Sequence, residues 1–446
     1  MKKIFGQASA LNQTLDLMAD GVITNEMLHN FNVRCTNEAG ARKWDEKLIQ
    51  LMPKGREISS CLGFAEDGQP LYIAKDGERL FVVHGKTEGR RYRRIEWLSL
   101  KDGRPFYVAE DESQYFLVQG DSEGERYDFV RFFTWHNGRA LCVIRKGETY
   151  FLTDGVEWRK GYDHVHLHSV VDGKPMYEAR HVGRHVVHGQ VEGKGYHEIF
   201  GLTSAEGKPL YVAKDGGKSF VVHGDVEGRR YDYIFNLNFA QGRPVYEAVV
   251  GEEHFVVSGL HGEQKGTVYS RISEFSVADG QLLYVGSMSD TQCFIVHGKQ
   301  ELNVRGRVSR LSLAPDSVEL YCLHDLKGVR VVHGSIMGHA YTSIDSLGFA
   351  DGHPLYHATN EDGVLCIVYG GGKTIKCEGY QRISDLSLVD GHPLFQAHHN
   401  LRHAVIYGDE VGKAYDDIFS LTVTPTEIFY GARKGRNLYR VSRKRA

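Results

Sequence analysis

From about residue 54 to the C-terminus, apolar residues fall in short period-two bursts between glycine-rich polar turns, and the whole pattern recurs about every 35 residues. Period two marks strands with one face turned to a core. One column is a pair of apolar positions two apart: Leu98 and Leu100, Phe133 and Trp135, Leu237 and Phe239, Leu311 and Leu313, Leu386 and Leu388. A turn of the D-G-x-P kind follows, and four residues after its glycine stands an aromatic (Tyr72, Tyr107, Tyr177, Tyr211, Tyr246, Tyr284, Tyr356 and Phe395), with Cys142 as the exception. A strand of the Phe81-Val82-Val83 type then ends at a closing glycine: Gly85, Gly120, Gly155, Gly189, Gly224, Gly259, Gly298, Gly334, Gly370 and Gly408. A second tyrosine (Tyr92, Tyr127, Tyr162, Tyr196, Tyr231) and, three residues later, a β-branched residue (Ile95, Val130, Val165, Ile199, Ile234) lead into the next cycle.

Each unit therefore reads as three or four sequential antiparallel strands. Ten cycles are complete and an eleventh begins. A unit of this size cannot bury its own apolar columns, so neighbours must stack face to face. Leu100-Lys101-Asp102-Gly103-Arg104-Pro105-Phe106-Tyr107-Val108-Ala109, with Phe220-Val221-Val222-His223-Gly224 and Tyr231-Asp232-Tyr233-Ile234, resembles the WD-like "PDG" repeats of Tol-system β-propellers. The proline here follows the D-G instead of preceding it. The resemblance covers about 390 of 446 residues. It implies an all-β fold, a β-propeller of about eleven short antiparallel meanders, and leaves function open, because such repeats serve in binding modules and beside unrelated enzymes.

The last unit has Leu421, Val423, Tyr430, Leu438 and Tyr439 but stops before a final strand, while Gly55-Arg56-Glu57-Ile58 supplies a spare one before the first unit. A strap of that kind would complete the last blade and remove free sheet edges. Repeats 1–6 occupy 54–262 and repeats 7–11 occupy 263–446, as two lobes or as one continuous ring. Residues 1–53 form another class, a small N-terminal helical segment. Ser9 would cap a helix over 10–18, Thr24 or Asn25 one over 26–31, and 38–52 reads as a third, with Trp44, Leu48 and Leu51 on one face. This segment either packs on the ring or docks elsewhere.

Composition agrees with short strands and tight turns: 51 Gly, 24 Tyr and 21 Phe against 10 Pro. Lys plus Arg (54) nearly balances Asp plus Glu (57), which gives no field for nucleic acid or an anionic membrane. Only the tail, Arg433-Lys434 through Arg443-Lys444-Arg445, is basic, and it reads as a solvated end with at most weak nucleic-acid contact. Seven cysteines at irregular spacing, without a CxxC, fit a reducing compartment better than a disulfide framework or zinc ribbon. Met1 to Gln7 leads into no apolar core of a signal peptide, and no run of 18 apolar residues occurs, so a soluble cytoplasmic protein is expected.

Candidate chemistry is sparse. Gly370-Gly371-Gly372-Lys373-Thr374 looks like the end of a phosphate loop, but position 367 is Ile and the stretch follows a closing glycine, so a hairpin turn is expected. His164, His166 and His168 alternate on a strand and are weak candidates for a metal site, against the reading of a divergent blade. His84, His188, His223, His297 and His333 precede closing glycines and read as turn residues, as do Asp128, Asp163, Asp232 and Asp416 after the second tyrosine. His392, His398, His399 and His403 crowd one unit. No G-x-S-x-G, H-E-x-x-H or calcium-loop spacing occurs. The expectation is a non-catalytic propeller without cofactor, acting as a protein-interaction scaffold. The alternative is an enzyme, or a carbohydrate- or small-ligand-binding propeller with its site at the ring axis.

Overall fold

The computed structural model describes residues 44–51, 56–65, 68–136, 138–155, 160–289 and 292–445. Among these, the chain folds into eleven antiparallel sheets, the blades of a β-propeller. Blade 2 shows the plan: an inner strand Arg94–Lys101, then Arg104–Asp111, Gln114–Gln119 and an outer strand Ser122–Glu123. An outer strand of two residues is how 35 residues suffice for four strands. Blade 3 has three described strands, and residues 156–159 after them lie outside the described part.

The turn chemistry explains the repeat. Asp102 and Gly103 both have positive φ (52° and 71°), as a two-residue type I′ hairpin demands. At the same end of the blade, the N–H of Gly120 donates to the Pro105 carbonyl, and Gly224 to Pro209 likewise.

Each joint between consecutive blades holds its own hydrophobic cluster. In the first, Ile73 and Val82 of blade 1 meet Tyr92, Ile95, Tyr107, Ala109, Phe116 and Val118. Blades 6 and 7 share Val256, Tyr269, Ile272, Tyr284 and Val296. The last joint returns to the first blade, with Leu438 packed among Tyr72, Ala74, Phe81 and Val83. Phe64 of blade 1 also faces Phe419 and Phe429 of blade 11 at ring-centroid distances of 6.1 and 6.2 Å. Truncating a fully buried ring such as Tyr246 would cost about 3–5 kcal/mol.

A strap does close the ring, but with other residues than expected. Asp45–Leu51 is a strand, not part of a third helix, and it pairs with Asn437–Lys444 as the outer strand of blade 11. Arg56–Phe64 is instead the inner strand of blade 1. Trp44 is buried, its ring 5.4 Å from Tyr430. The helices expected over 10–18 and 26–31 lie outside the described residues. The basic tail is likewise no solvated end: Arg440 pairs with Glu427 at 2.7 Å, Arg443 with Glu410 and Arg445 with Asp390.

Inner strands of neighbouring blades lie within contact of one another, as between blades 11 and 1, 6 and 7, and 7 and 8, so they encircle the axis. With sheets packed about 10 Å apart, eleven inner strands lie on a circle no more than roughly 35 Å across.

Candidate functional site in the axial wall

Every inner strand breaks its ladder just past the β-branched column. In seven blades the break carries a residue at positive φ: Trp97, Gly201, Asn236, Glu274, Arg310, Asp385 and Ser420, between 52° and 60°. Such a bulge turns side chains out of the joint. The residues one position either side of the β-branched column point to the opposite face, toward the next blade. These positions lie on the inner strands that encircle the axis. Their residues differ from blade to blade, although the buried columns do not.

Blade 6 presents aromatics. Tyr233 and Phe235 stack at 6.2 Å with an interplanar angle of 14° and are about half exposed, as is Phe200 of blade 5. Behind them the nearly inaccessible carboxylate of Glu247 accepts from Asn236 Nδ2 at 2.7 Å and lies 2.7 Å from His254 Nδ1.

Blades 8 and 10 carry a recurring serine–histidine pair. Ser309 Oγ lies 2.7 Å from His324 Nε2, and Ser384 Oγ 2.8 Å from His398 Nε2. Burial, then the neighbouring His403 and Arg382, push His398 down to about 4. Burial, then Arg307 and Arg310, also hold His324 below its usual range. Among the described residues neither imidazole is ion-paired to a carboxylate, the group that orients the histidine of a catalytic triad. The signal was present in the chain as Arg271-Ile272-Ser273, Arg307-Val308-Ser309 and Arg382-Ile383-Ser384, a hydroxyl directly after the β-branched column. Sequence reasoning passed over it because it compared only the apolar columns.

Arg307, Ser309, Arg310, Cys322, His324 and Val329, with Glu274 of blade 7 and Ile344 of blade 9, line a cavity of about 380 Å³. Burial raises the Cys322 thiol to about 11, which keeps it protonated.

The three alternating histidines do not converge. Leu167 takes the core position and is buried, while His168 is displaced into the bulge between Leu167 and Ser169. The His166 and His168 rings lie face to face, 4.7 Å apart at 16°, and His164 turns to Tyr150 at 5.4 Å. Burial and the neighbouring His166 hold His164 and His168 below the usual imidazole range. Among the described residues no three His, Cys, Asp or Glu side chains are grouped to hold a metal ion.

The remaining candidates have local partners. Gly370, Gly371 and Gly372 connect two strands paired at Tyr369 and Lys373, a hairpin with no helix after it. His223 Nε2 lies 3.1 Å from the Ala205 carbonyl and His188 Nε2 3.3 Å from that of Val171, at the ends of their own blades. Asp128, Asp232 and Asp416 accept the turn N–H of Gly147, Gly251 and Gly435 at 2.7, 2.9 and 2.6 Å.

The outer rim breaks the repeat in another way. Blade 7 ends in a six-residue strand, Gln300–Arg305, which pairs residue for residue with Gln292–His297 and, among the described residues, has no strand on its other side. In blades 1, 2, 4, 5, 8 and 10 the outer strand is only two residues long.

No protein-family model matches this chain, and no curated protein does. Among solved structures it is similar to the extracellular domain of a protein described as a hybrid two component system from B. thetaiotaomicron, at 10% identity over 90% of this chain and 78% of that one, with a TM-score of 0.22. It is also similar to apo AztD from Citrobacter koseri, at 10% identity over 69% and 95%, TM-score 0.30. A third is the dihydro-heme d1 dehydrogenase NirN in complex with DHE, at 10% identity over 82% and 80%, TM-score 0.32. These likenesses carry no argument about what this chain binds.

Proposed function

We propose that this β-propeller is a non-catalytic interaction platform, and that it takes an extended segment of a partner protein as an added strand on blade 7. The observation that supports this is the unbroken edge Gln300–Arg305. Unpaired edges are normally shortened or blunted, because their open N–H and C=O groups recruit other chains. Six blades obey that rule with outer strands of two residues, and the long outer strands of blades 6 and 11 are interrupted by register shifts, whereas that of blade 7 runs unbroken for six residues. An added strand would gain main-chain hydrogen bonds, with Leu302, half exposed, as an apolar side-chain contact.

Site-specific photocrosslinking tests it. A photoreactive residue at 302 should capture a partner polypeptide that the same residue at Val226 on blade 5 does not, and Leu302→Lys in an otherwise native chain should abolish co-purification of that partner. Equal capture at both positions, or co-purification unaffected by Leu302→Lys, would remove the edge from the interface. Deleting residues 1–43, which leaves Trp44 and the strap in place, separates the ring from the N-terminal segment. Loss of the partner on that deletion alone would assign docking to the N-terminus.

A further inference from the structure

About half of the described arginines on this ring have a carboxylate partner. Arg90 meets Glu123 at 3.2 Å, Arg402 meets Asp416 at 2.6 Å and Arg440 meets Glu427 at 2.7 Å. Arg307 and Arg310, like Arg271 and Arg382 in the same column as Arg307, have no carboxylate oxygen within 4.0 Å among the described residues, but these two line one cavity at the joint of blades 8 and 9. The one acid in that lining, Glu274, is engaged, with its Oε2 accepting from the Leu311 N–H at 3.3 Å. Two guanidinium groups thus stand against one occupied carboxylate. Between them lie the Ser309 hydroxyl and the His324 imidazole, and the apolar side is made by Cys322, Val329 and Ile344.

We propose that this cavity binds the phosphoryl group of a small phosphate ester. Arg307, Ser309 and Arg310 lie on the inner strand Arg307–Leu313 and His324 on the adjoining strand Glu319–Asp325, so the donors come from two strands. Donors spread in that way suit an anion with three acceptor oxygens better than a flat carboxylate, which one guanidinium fork satisfies. The volume of about 380 Å³ exceeds what a bare phosphate fills, and leaves the apolar side for an organic group.

Blade 10 supplies a built-in comparison. It repeats the arginine, serine and histidine as Arg382, Ser384 and His398 but places Asp385 at the bulge where blade 8 has Arg310. Asp385, which accepts from Gln396 Nε2 at 2.8 Å, sets one carboxylate against one arginine there, where the blade 8 cavity sets two arginines against Glu274. Arg310 is the residue that separates the two. This site is independent of the blade 7 edge, and either can fail without the other.

Isothermal titration of the full chain at low ionic strength tests the assignment, with glycerol 1-phosphate and inorganic phosphate as probes and acetate and glycerol as controls. Glycerol 1-phosphate should bind at one site, with inorganic phosphate weaker and the controls silent. Arg310→Asp, which copies blade 10, and Arg307→Gln should each weaken binding at least tenfold, while Arg382→Gln should leave it unchanged. Both blade 8 positions are exposed, so the variants should keep the wild-type melting temperature without ligand, which a parallel melt verifies. No saturable heat with either phosphate probe, equal affinity in wild type and Arg310→Asp, or acetate binding as tightly as phosphate would overturn the proposal.

Discussion

Tyr415 Oη donates to Glu46 Oε2 at 2.9 Å, joining the tenth blade connection to a strand 369 residues earlier in the chain. The same contact recurs along the ring: Tyr92 to Glu123 at 3.0 Å, Tyr162 to Glu192 at 2.8 Å, Tyr196 to Glu227 at 3.1 Å and Tyr269 to Glu301 at 3.0 Å. These connecting tyrosines pair their backbone with the blade before and meet a tyrosine of the blade after edge-on, as Tyr415 does with His403 and with Tyr430 at 6.3 Å. Glu46 therefore occupies the place of Glu123 in an outer strand supplied by the other end of the chain, and Lys413 joins it at 2.8 Å.

Removing that carboxylate should loosen the closure specifically. Glu46→Ala strands the buried Tyr415 hydroxyl, and hydrogen bonds to charged groups contribute about 1.5–3 kcal/mol. Glu192→Ala breaks the same contact inside the continuous chain. Hydrogen exchange at Asp45–Leu51 and Asn437–Lys444 should accelerate in Glu46→Ala and remain at the wild-type rate in Glu192→Ala. Slow exchange at the strap in both variants would show that Trp44 and the backbone ladder hold it without the clasp.

The bulge conformation yields a second expectation. Gly201 has φ of 58° where other blades place Asn236, Asp385 or Glu274, and nothing lies within 4 Å of where its Cβ would stand. The cost of a side chain there is then conformational alone. Gly201→Ala should destabilise by about 1 kcal/mol, Gly201→Asn by less, and Gly201→Val by more, because β-branching resists the left-handed region. Denaturant melts of the three variants measure this order, and Val ranking with Asn would contradict it.

Much of the fold was legible because a repeated sequence averages out local ambiguity: ten cycles fix which columns are buried, and the structure keeps those columns in the joints. The strap was misread for a physical reason. Trp44, Leu48 and Leu51 are spaced like a helical face, and only the alignment of Glu46 with Glu123 and Glu192 shows the stretch to be an outer strand. The displacement of His168 was not legible in the alternation of the histidines, because blade 4 skips one residue at its bulge where blade 2 skips two, which moves Leu167 into the core. The cavity beside Arg310 was invisible for a related reason. Its walls come from blades 7, 8 and 9, and which side chains face it depends on bulges that apolar periodicity does not encode.

That displacement bears on metal binding at His164, His166 and His168. Face-to-face rings 4.7 Å apart direct their nitrogens side by side, not at a common point about 2 Å from each as zinc requires. Purified protein and the triple variant His164→Ala, His166→Ala, His168→Ala should contain equal, sub-stoichiometric zinc by elemental analysis. One zinc per chain, lost in the variant, would reverse this.

Acid should weaken the ring through its buried imidazoles. His398 is held at about 4 by burial and by His403 and Arg382, against an ordinary value of 6.5. At neutral pH both folded and unfolded states carry it uncharged, so its effect on stability is nil there. As pH falls below 6.5 the unfolded chain takes up the proton while the folded one refuses it, so stability declines until the folded pKa near 4 is reached and then levels off. Between pH 7.5 and pH 5.0 this loss is at most about 2 kcal/mol, and solvent screening of the partly exposed ring reduces it. His164, His168, His324, His357 and His403 are shifted in the same direction and add to the loss. Urea melts at pH 7.5 and pH 5.0 should therefore show a marked fall for wild type and a smaller one for His398→Gln, which keeps a hydrogen-bonding group beside Ser384 but cannot take the proton. Identical pH slopes for the two proteins would mean that His398 gains its proton in the folded state as readily as in the unfolded one.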